Sequence, residues 1–299
     1  CVKAEKGPPD NTSPTSATER RPTALSPATR GNATMPHLIA PGLLGHPKRM
    51  RPAADSTERF TDRAGDYAAA RPGYPAAVAT TLVDELRLPT AAVVADIGSG
   101  TGLSCEPFLR AGLTVIGVEP NDAMRAEGDR QLAAFARFRS VAGTAEATTL
   151  PDASVDLLIA AQAFHWFDIG PARAEALRIL KRPPLAALIW NDRVSTGSRF
   201  AEGYEQLLLD FGIEYASIRH RHAHEDSVAA FFGHRDFRVA GFANPTALDW
   251  PTLLARLNSA SYVPKADHPN HAPMVERLRQ LFDAAARDGR VTMDYVTRV

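Results

Sequence analysis

Cysteine is nearly absent from this chain of 299 residues, with Cys1 and Cys105 the only two. Two thiols so far apart make no disulfide framework, and the expected setting is the reducing cytoplasm. Charge of one sign is missing as well, because 34 Lys and Arg balance 34 Asp and Glu. Such a chain has no net field to gather phosphate backbone or anionic lipid, so neither nucleic acid nor a membrane is an expected partner. Long apolar runs are lacking too, and no stretch approaches the roughly 20 residues of a membrane-spanning helix. What is present is an ordinary apolar content of 44%, enough for a hydrophobic core.

Residues 1–55 are rich in Pro, Ser, Thr and Ala without a sustained period of 2 or 3.6, and read as a disordered extension. Residues 56–299 read as one domain. Ser56 is placed to cap a short helix, which the run Arg71-Pro72-Gly73-Tyr74-Pro75 must end, since proline removes a donor and forces its neighbour extended. From Ala76 onward helices alternate with the apolar strands "AAVVADIG", "LTVIGVE", "FRSVAG", "VDLLIAAQ" and "LAALIWN", and Pro171 is expected to start the last of these helices. That rhythm is βαβ and implies a doubly wound parallel sheet with right-handed crossovers. Beyond Asn191 it gives way to longer helical stretches and to the strand candidates "FRVAGFA" and "VTMDYVTRV", which can pair at one edge of the same sheet.

The segment "DIGSGTG" carries glycines at 98, 100 and 102 between a strand and a helix, where absent Cβ atoms let a ligand approach backbone N–H groups. A dinucleotide fingerprint needs glycine at position 103, and Leu103 stands there. Asp96 at the strand end repels a pyrophosphate and suits an ammonium group, so the loop asks for a nucleoside with a cationic amino-acid end. Glu119 ends the next strand, about 20 residues after the loop, where an acid accepts the hydrogen bonds of a ribose diol.

With "DIGSGTG", "GVEPNDAM", "AEATTLPDASVDLLIAAQAFHWFD" and "RILK...LAALIWN" in this order, the chain resembles the class I S-adenosylmethionine-dependent methyltransferases, in their small-molecule, methyltransferase type 11-like branch. The resemblance implies a seven-stranded, mostly parallel, Rossmann-like α/β sheet with helical additions over the acceptor site, and S-adenosyl-L-methionine as cofactor. It implies that Asp96, Gly98, Ser99, Gly100 and Gly102 hold the methionine portion and Glu119 the ribose. Asn121 and Met124 would flank the adenosine, Ala145 and Glu146 would meet the adenine edge, and Gln162 would lie beside the sulfonium. In this branch Tyr67, Arg71 and Tyr74 match a lid segment, and Ser261 and Tyr262 match the roof of the acceptor pocket. Where the family has Pro-Gly-Gly before its fifth strand, this chain has Arg182-Pro183-Pro184, a departure that touches the turn and not the cofactor site.

Ligands of an open parallel sheet bind beyond the carboxyl ends of the strands, which puts "AQAFHWFD" and "WNDR" on one rim. His165 is the titratable candidate there, either as a general base or as one wall of an aromatic pocket with Phe164, Trp166 and Phe167. The acceptor is expected to be a small molecule methylated on a hydroxyl or carboxylate oxygen, with Arg71 as a clamp. Methylation on carbon or nitrogen stays open, as do a non-catalytic S-adenosylmethionine-binding protein and a nicotinamide-dependent oxidoreductase. The alternate histidines His220, His222 and His224 are interleaved with arginines and read as a solvated segment, so no metal is expected. No Asn-Pro-Pro-Tyr or Asp-Pro-Pro-Tyr follows the fourth strand, which disfavours base or glutamine methylation. Cys105 reads as a small buried side chain without chemistry.

Overall fold

The computed structural model describes residues 71–213, 215, 225–260 and 262–299, all within one compact unit. The expectations placed on residues 1–55, Ser56, Tyr67, Ser261 and the histidines at 220, 222 and 224 lie outside the described residues.

Helix α1 (Ala76–Glu85) begins directly after Pro75. Then come β1 (Val93–Ile97), α2 (Cys105–Arg110), β2 (Thr114–Val118), α3 (Asp122–Gln131), β3 (Phe138–Val141), β4 (Leu157–Ala161), α4 (Ile169–Ile179) and β5 (Ala186–Arg193). The second half supplies α5 (Arg199–Phe211), α6 (Glu225–Phe232), β6 (Gly241–Ala243), β7 (Thr246–Leu248), α7 (Trp250–Asn258), α8 (His271–Ala285), β8 (Val291–Met293) and β9 (Tyr295–Arg298). Seven strands form one sheet in the order β3-β2-β1-β4-β5-β9-β6. Strands β1 to β5 run parallel, while β9 lies antiparallel to β5 and to β6.

Strands covered on both faces must be apolar throughout, and β4 is buried at all of its residues. Alternate side chains feed two cores. Val94, Val115, Leu157 and Ile159 face α1 and α2 with Phe108 at the centre, and Ala95, Ile116, Leu158 and Ala160 face α4 with Ile179. A third core lies among α5, α7 and α8, around Leu208, Leu253, Leu257, Met274 and Leu278. Among the described residues no helix is long and apolar enough to cross a membrane.

Three boundaries differ from the sequence reading. Helix α4 starts at Ile169, two residues before Pro171, which its first turn tolerates because N–H groups there have no intrahelical partner; the Asp168 N–H at its N-cap donates to Glu146 Oε1 at 2.9 Å. Only Gly241–Ala243 of "FRVAGFA" is strand. "VTMDYVTRV" divides at Asp294: β8 pairs with β7 in a separate ribbon, and β9 alone enters the main sheet.

Candidate functional site

The parallel strands set the C-terminal ends of β1, β2, β4 and β5 on one rim, and the glycine loop leaves β1 there. Gly98, Gly100 and Gly102 have φ of 72°, 56° and 83°, a region closed to residues with a Cβ except at a cost. Gly98 also lies against Ala163, whose Cβ would stand 2.6 Å from an added Cβ. Gly102 serves packing, since a Cβ there would meet Leu132 Cδ1 at 2.5 Å. Opposite the loop, Gly128 lets α3 approach, with Gly100 O only 3.2 Å from where its Cβ would be. Gly128 and Leu132 were not singled out in the sequence; a glycine inside the otherwise polar "MRAEGDRQ" was the available signal.

Four N–H groups of this loop are already engaged within the protein. Those of Gly98 and Ser99 donate to Val118 O at 2.8 and 3.2 Å, and that of Gly102 donates to Ser99 O at 2.9 Å. The Gly100 N–H donates to Glu119 Oε2 at 2.9 Å. At these four positions a ligand meets N–H groups that already donate within the protein, and the loop sets a carboxylate beside them.

Asp96 is that carboxylate, and it is fully buried. Its Oδ2 accepts from Ser104 Oγ at 2.5 Å and from Cys105 Sγ at 3.2 Å, whereas Oδ1 has no partner. Burial raises its pKa to about 6, against the lowering effect of the two donors. Burial and the neighbouring Asp96 charge push the Cys105 thiol up, consistent with its lack of assigned chemistry. Ser104 was also missed in the sequence.

Glu119 is raised by burial and held down by two backbone donors, Gly100 and Asn121, with the latter N–H on Oε1 at 2.9 Å. Each oxygen keeps a further lone pair for a hydroxyl. Asn121 caps α3, its Oδ1 accepting from the Met124 N–H at 3.0 Å, and Met124 Cε lies 3.3 Å from an added Gly100 Cβ. Asn121→Ala is expected to lower stability by about 1 kcal/mol, the usual value of an N-cap, read as an earlier midpoint in urea with an unchanged slope.

On the far side of the rim, Gln162 follows β4 with φ of 57°, a strained geometry for a residue with a side chain. Its N–H donates to Ile189 O at 2.9 Å and its Nε2 to Asn191 O at 3.2 Å. Ala145 and Glu146 are half-buried, Ala145 against the α4 side of the sheet. The proposed aromatic wall is divided. Phe164 is buried and meets Phe167, Trp190 and Phe231 edge-on, while a 3-10 turn (Phe164–Trp166) turns His165 and Trp166 outward. Trp166 is 52% exposed, and its ring lies 4.7 Å from that of His165. Partial withdrawal from water lowers the His165 pKa, so the imidazole is neutral near pH 7 and able to accept a proton.

Beyond β5 the segment around Gly73 is tied to the rim, its carbonyl accepting from Asn191 Nδ2 at 3.1 Å and Asn244 Nδ2 at 2.8 Å. Arg71 Nη2 donates to Ser259 O at 3.4 Å. Tyr74 is partly buried against the core that α1 and α2 share with the sheet. Tyr262 does reach the helical side, with its ring 4.9 Å from that of Tyr215. Arg193, Glu205 and Arg256 meet there too; they were not singled out, and only the placement of "WNDR" on the rim hinted at Arg193.

Residues 95–184 match the methyltransferase domain family. An uncharacterized methyltransferase of Mycobacterium bovis is 35% identical over 139 residues, which are 46% of this chain and 54% of that protein. A protein of Saccharomyces cerevisiae named as a probable S-adenosylmethionine-dependent methyltransferase is 31% identical over 123 residues, 38% of this chain and 40% of its own length. The chain thus spans about half the length of the curated relatives it matches. Among solved structures, one provisionally assigned as a type II methyltransferase of Anaeromyxobacter dehalogenans superposes with a TM-score of 0.56 at 24% identity, covering 76% of this chain and 96% of that one. Residues 95–184 thus carry the methyltransferase domain, and the relatives that the chain resembles beyond it are methyltransferases.

Proposed function

We propose that this domain transfers a methyl group from S-adenosylmethionine to an oxygen atom of a small-molecule acceptor. The unpartnered, buried Asp96 Oδ1 beside a loop whose N–H groups at Gly98, Ser99, Gly100 and Gly102 are already bonded is the observation that carries the reading. An ammonium supplies the missing donor and countercharge, whereas a pyrophosphate meets a carboxylate. That contrast also counts against a nicotinamide cofactor.

Asp96 faces the amino-acid end, the close packing of Gly98 on Ala163 and of Gly100 on Met124 fixes the loop, Glu119 offers its remaining lone pairs to the ribose, and Met124 and Ala145 flank the base. S-adenosylmethionine, when bound, would supply a methyl carbon activated by its sulfonium, with S-adenosylhomocysteine as the leaving group. The chain's task is to align the acceptor and exclude water. Gln162 and Trp166 frame that approach, Arg71 and Tyr262 close it from the helical side, and neutral His165 takes the proton of a hydroxyl as the new C–O bond forms.

Incubation with a labelled methyl donor and fractionated small metabolites is expected to yield a product one methyl group heavier, linked through oxygen. His165→Ala is expected to lower kcat roughly 100-fold with the KM for the donor unchanged. An unchanged kcat would reduce His165 to a wall of the pocket. Tight binding of NADH without binding of S-adenosylhomocysteine would overturn the reading as a whole.

A further inference from the structure

A second imbalance lies on the helical side of the rim. Arg256 of α7 is 7% exposed. Its Nη1 donates to Tyr295 Oη at 2.6 Å and its guanidinium stands 5.5 Å from that ring, yet it makes no ion pair among the described residues and its buried Nε has no partner. Arg193, at the end of β5, is paired in register with the same Tyr295. Its Nη2 donates to the Glu205 carboxylate and to Tyr215 Oη, and its Nη1 is buried without a partner. The Arg193 guanidinium stands 5.0 Å from the Tyr204 ring, and both guanidinium groups act electrostatically on Tyr204.

A guanidinium withdrawn from water is strongly unfavourable unless an anion and full hydrogen bonding compensate it. Glu205 compensates Arg193 in part; a phenol hydroxyl and a ring face are weak compensation for Arg256. We propose that Arg193 and Arg256 form an anion site and that the acceptor carries a carboxylate held there. This rests on the methyltransferase reading and specifies its substrate class. A carboxylate matches the planar fork of a guanidinium and satisfies the idle Nε and Nη1 together. Bonds from guanidinium groups lower the nucleophilicity of the group they hold, so this carboxylate is the recognition handle and the methylated oxygen lies elsewhere on the acceptor.

The test uses the full chain and succinate, with its neutral diamide and inorganic phosphate as controls. Succinate is expected to raise the unfolding temperature, and the diamide and phosphate are not. Arg256→Met is expected to unfold at or above the temperature of the unmodified protein without ligand, because an apolar side chain replaces an uncompensated charge, and to lose the response to succinate. Arg256→Lys keeps the charge without the fork, and its affinity for succinate is expected to fall roughly tenfold. No response of the unmodified protein to succinate, an equal response of either variant, a preference for phosphate, or a marked drop in the ligand-free unfolding temperature of Arg256→Met would each overturn the proposal. S-adenosylhomocysteine binding, measured on the same samples, is expected to be equal in all three. Its absence from all three would strike the methyltransferase reading, while the succinate responses decide the anion site separately.

Discussion

Asp96→Asn is expected to make the ligand-free protein more stable and to weaken its binding of S-adenosylhomocysteine. The carboxyl is fully buried and its pKa stands at about 6 in place of the ordinary 3.8. An acid whose pKa is higher in the folded state disfavours folding wherever the unfolded chain has released a proton that the folded one retains, and the full penalty applies above the folded value. Over this interval it amounts to about 3 kcal/mol, an upper bound on the gain from an amide that still accepts from Ser104. For a domain of this size each kcal/mol moves the unfolding temperature by roughly 2–4 °C. The advantage of the variant is expected to be complete above about pH 6 and to vanish as the pH falls toward 3.8, where both forms of Asp96 are protonated. Thermal unfolding across that window and calorimetry with S-adenosylhomocysteine read the two effects. The affinity is expected to drop roughly 30-fold or more, as for one partner of a buried charge pair. A variant that binds as tightly as the parent, or that gains nothing in stability at neutral pH, would remove Asp96 from the ammonium site.

Gly98→Ala carries the second large effect, best read against Gly112→Ala. Both glycines have positive φ, 72° and 84°, and each substitution meets the left-handed penalty of about 1–2 kcal/mol. At Gly112 nothing lies within 4 Å of an added Cβ, whereas at Gly98 the Ala163 Cβ lies at 2.6 Å. Ala163 has no rotamer by which to retreat, so β4's C-terminal turn must move, adding about 1–3 kcal/mol of overpacking. Because that turn carries His165 and Trp166, methyl transfer is expected to fall in Gly98→Ala and to persist in Gly112→Ala. Equal unfolding midpoints in urea for the two variants would show that the loop and the turn are not in contact.

The parallel half of the sheet was legible because strands covered on both faces must be apolar and glycine marks the turns between them. "VVADI" and "LLIAA" could be little else. The split at Asp294 was not legible, since the alternation of "VTMDY" runs straight through that residue and periodicity says nothing about which neighbour a strand chooses. In the site, Asp96 and Glu119 stood out by position relative to the strands. Arg256 could not: "LLARLNS" reads as an amphipathic helix with a solvated arginine, and only the packing of α7 shows the guanidinium turned inward. The outward turn of Trp166 was equally hidden, because four consecutive ring-bearing residues from Phe164 to Phe167 look alike until the 3-10 turn assigns their directions.

The division at Asp294 has a mechanical meaning. One short segment enters the ribbon beside the helical core as β8 and the main sheet as β9, with Asp294 O accepting the Val194 N–H between them at 2.9 Å. The ribbon and the helices packed on it through Leu248, Val291 and Met293 are thereby moored to the edge of the main sheet at a single residue.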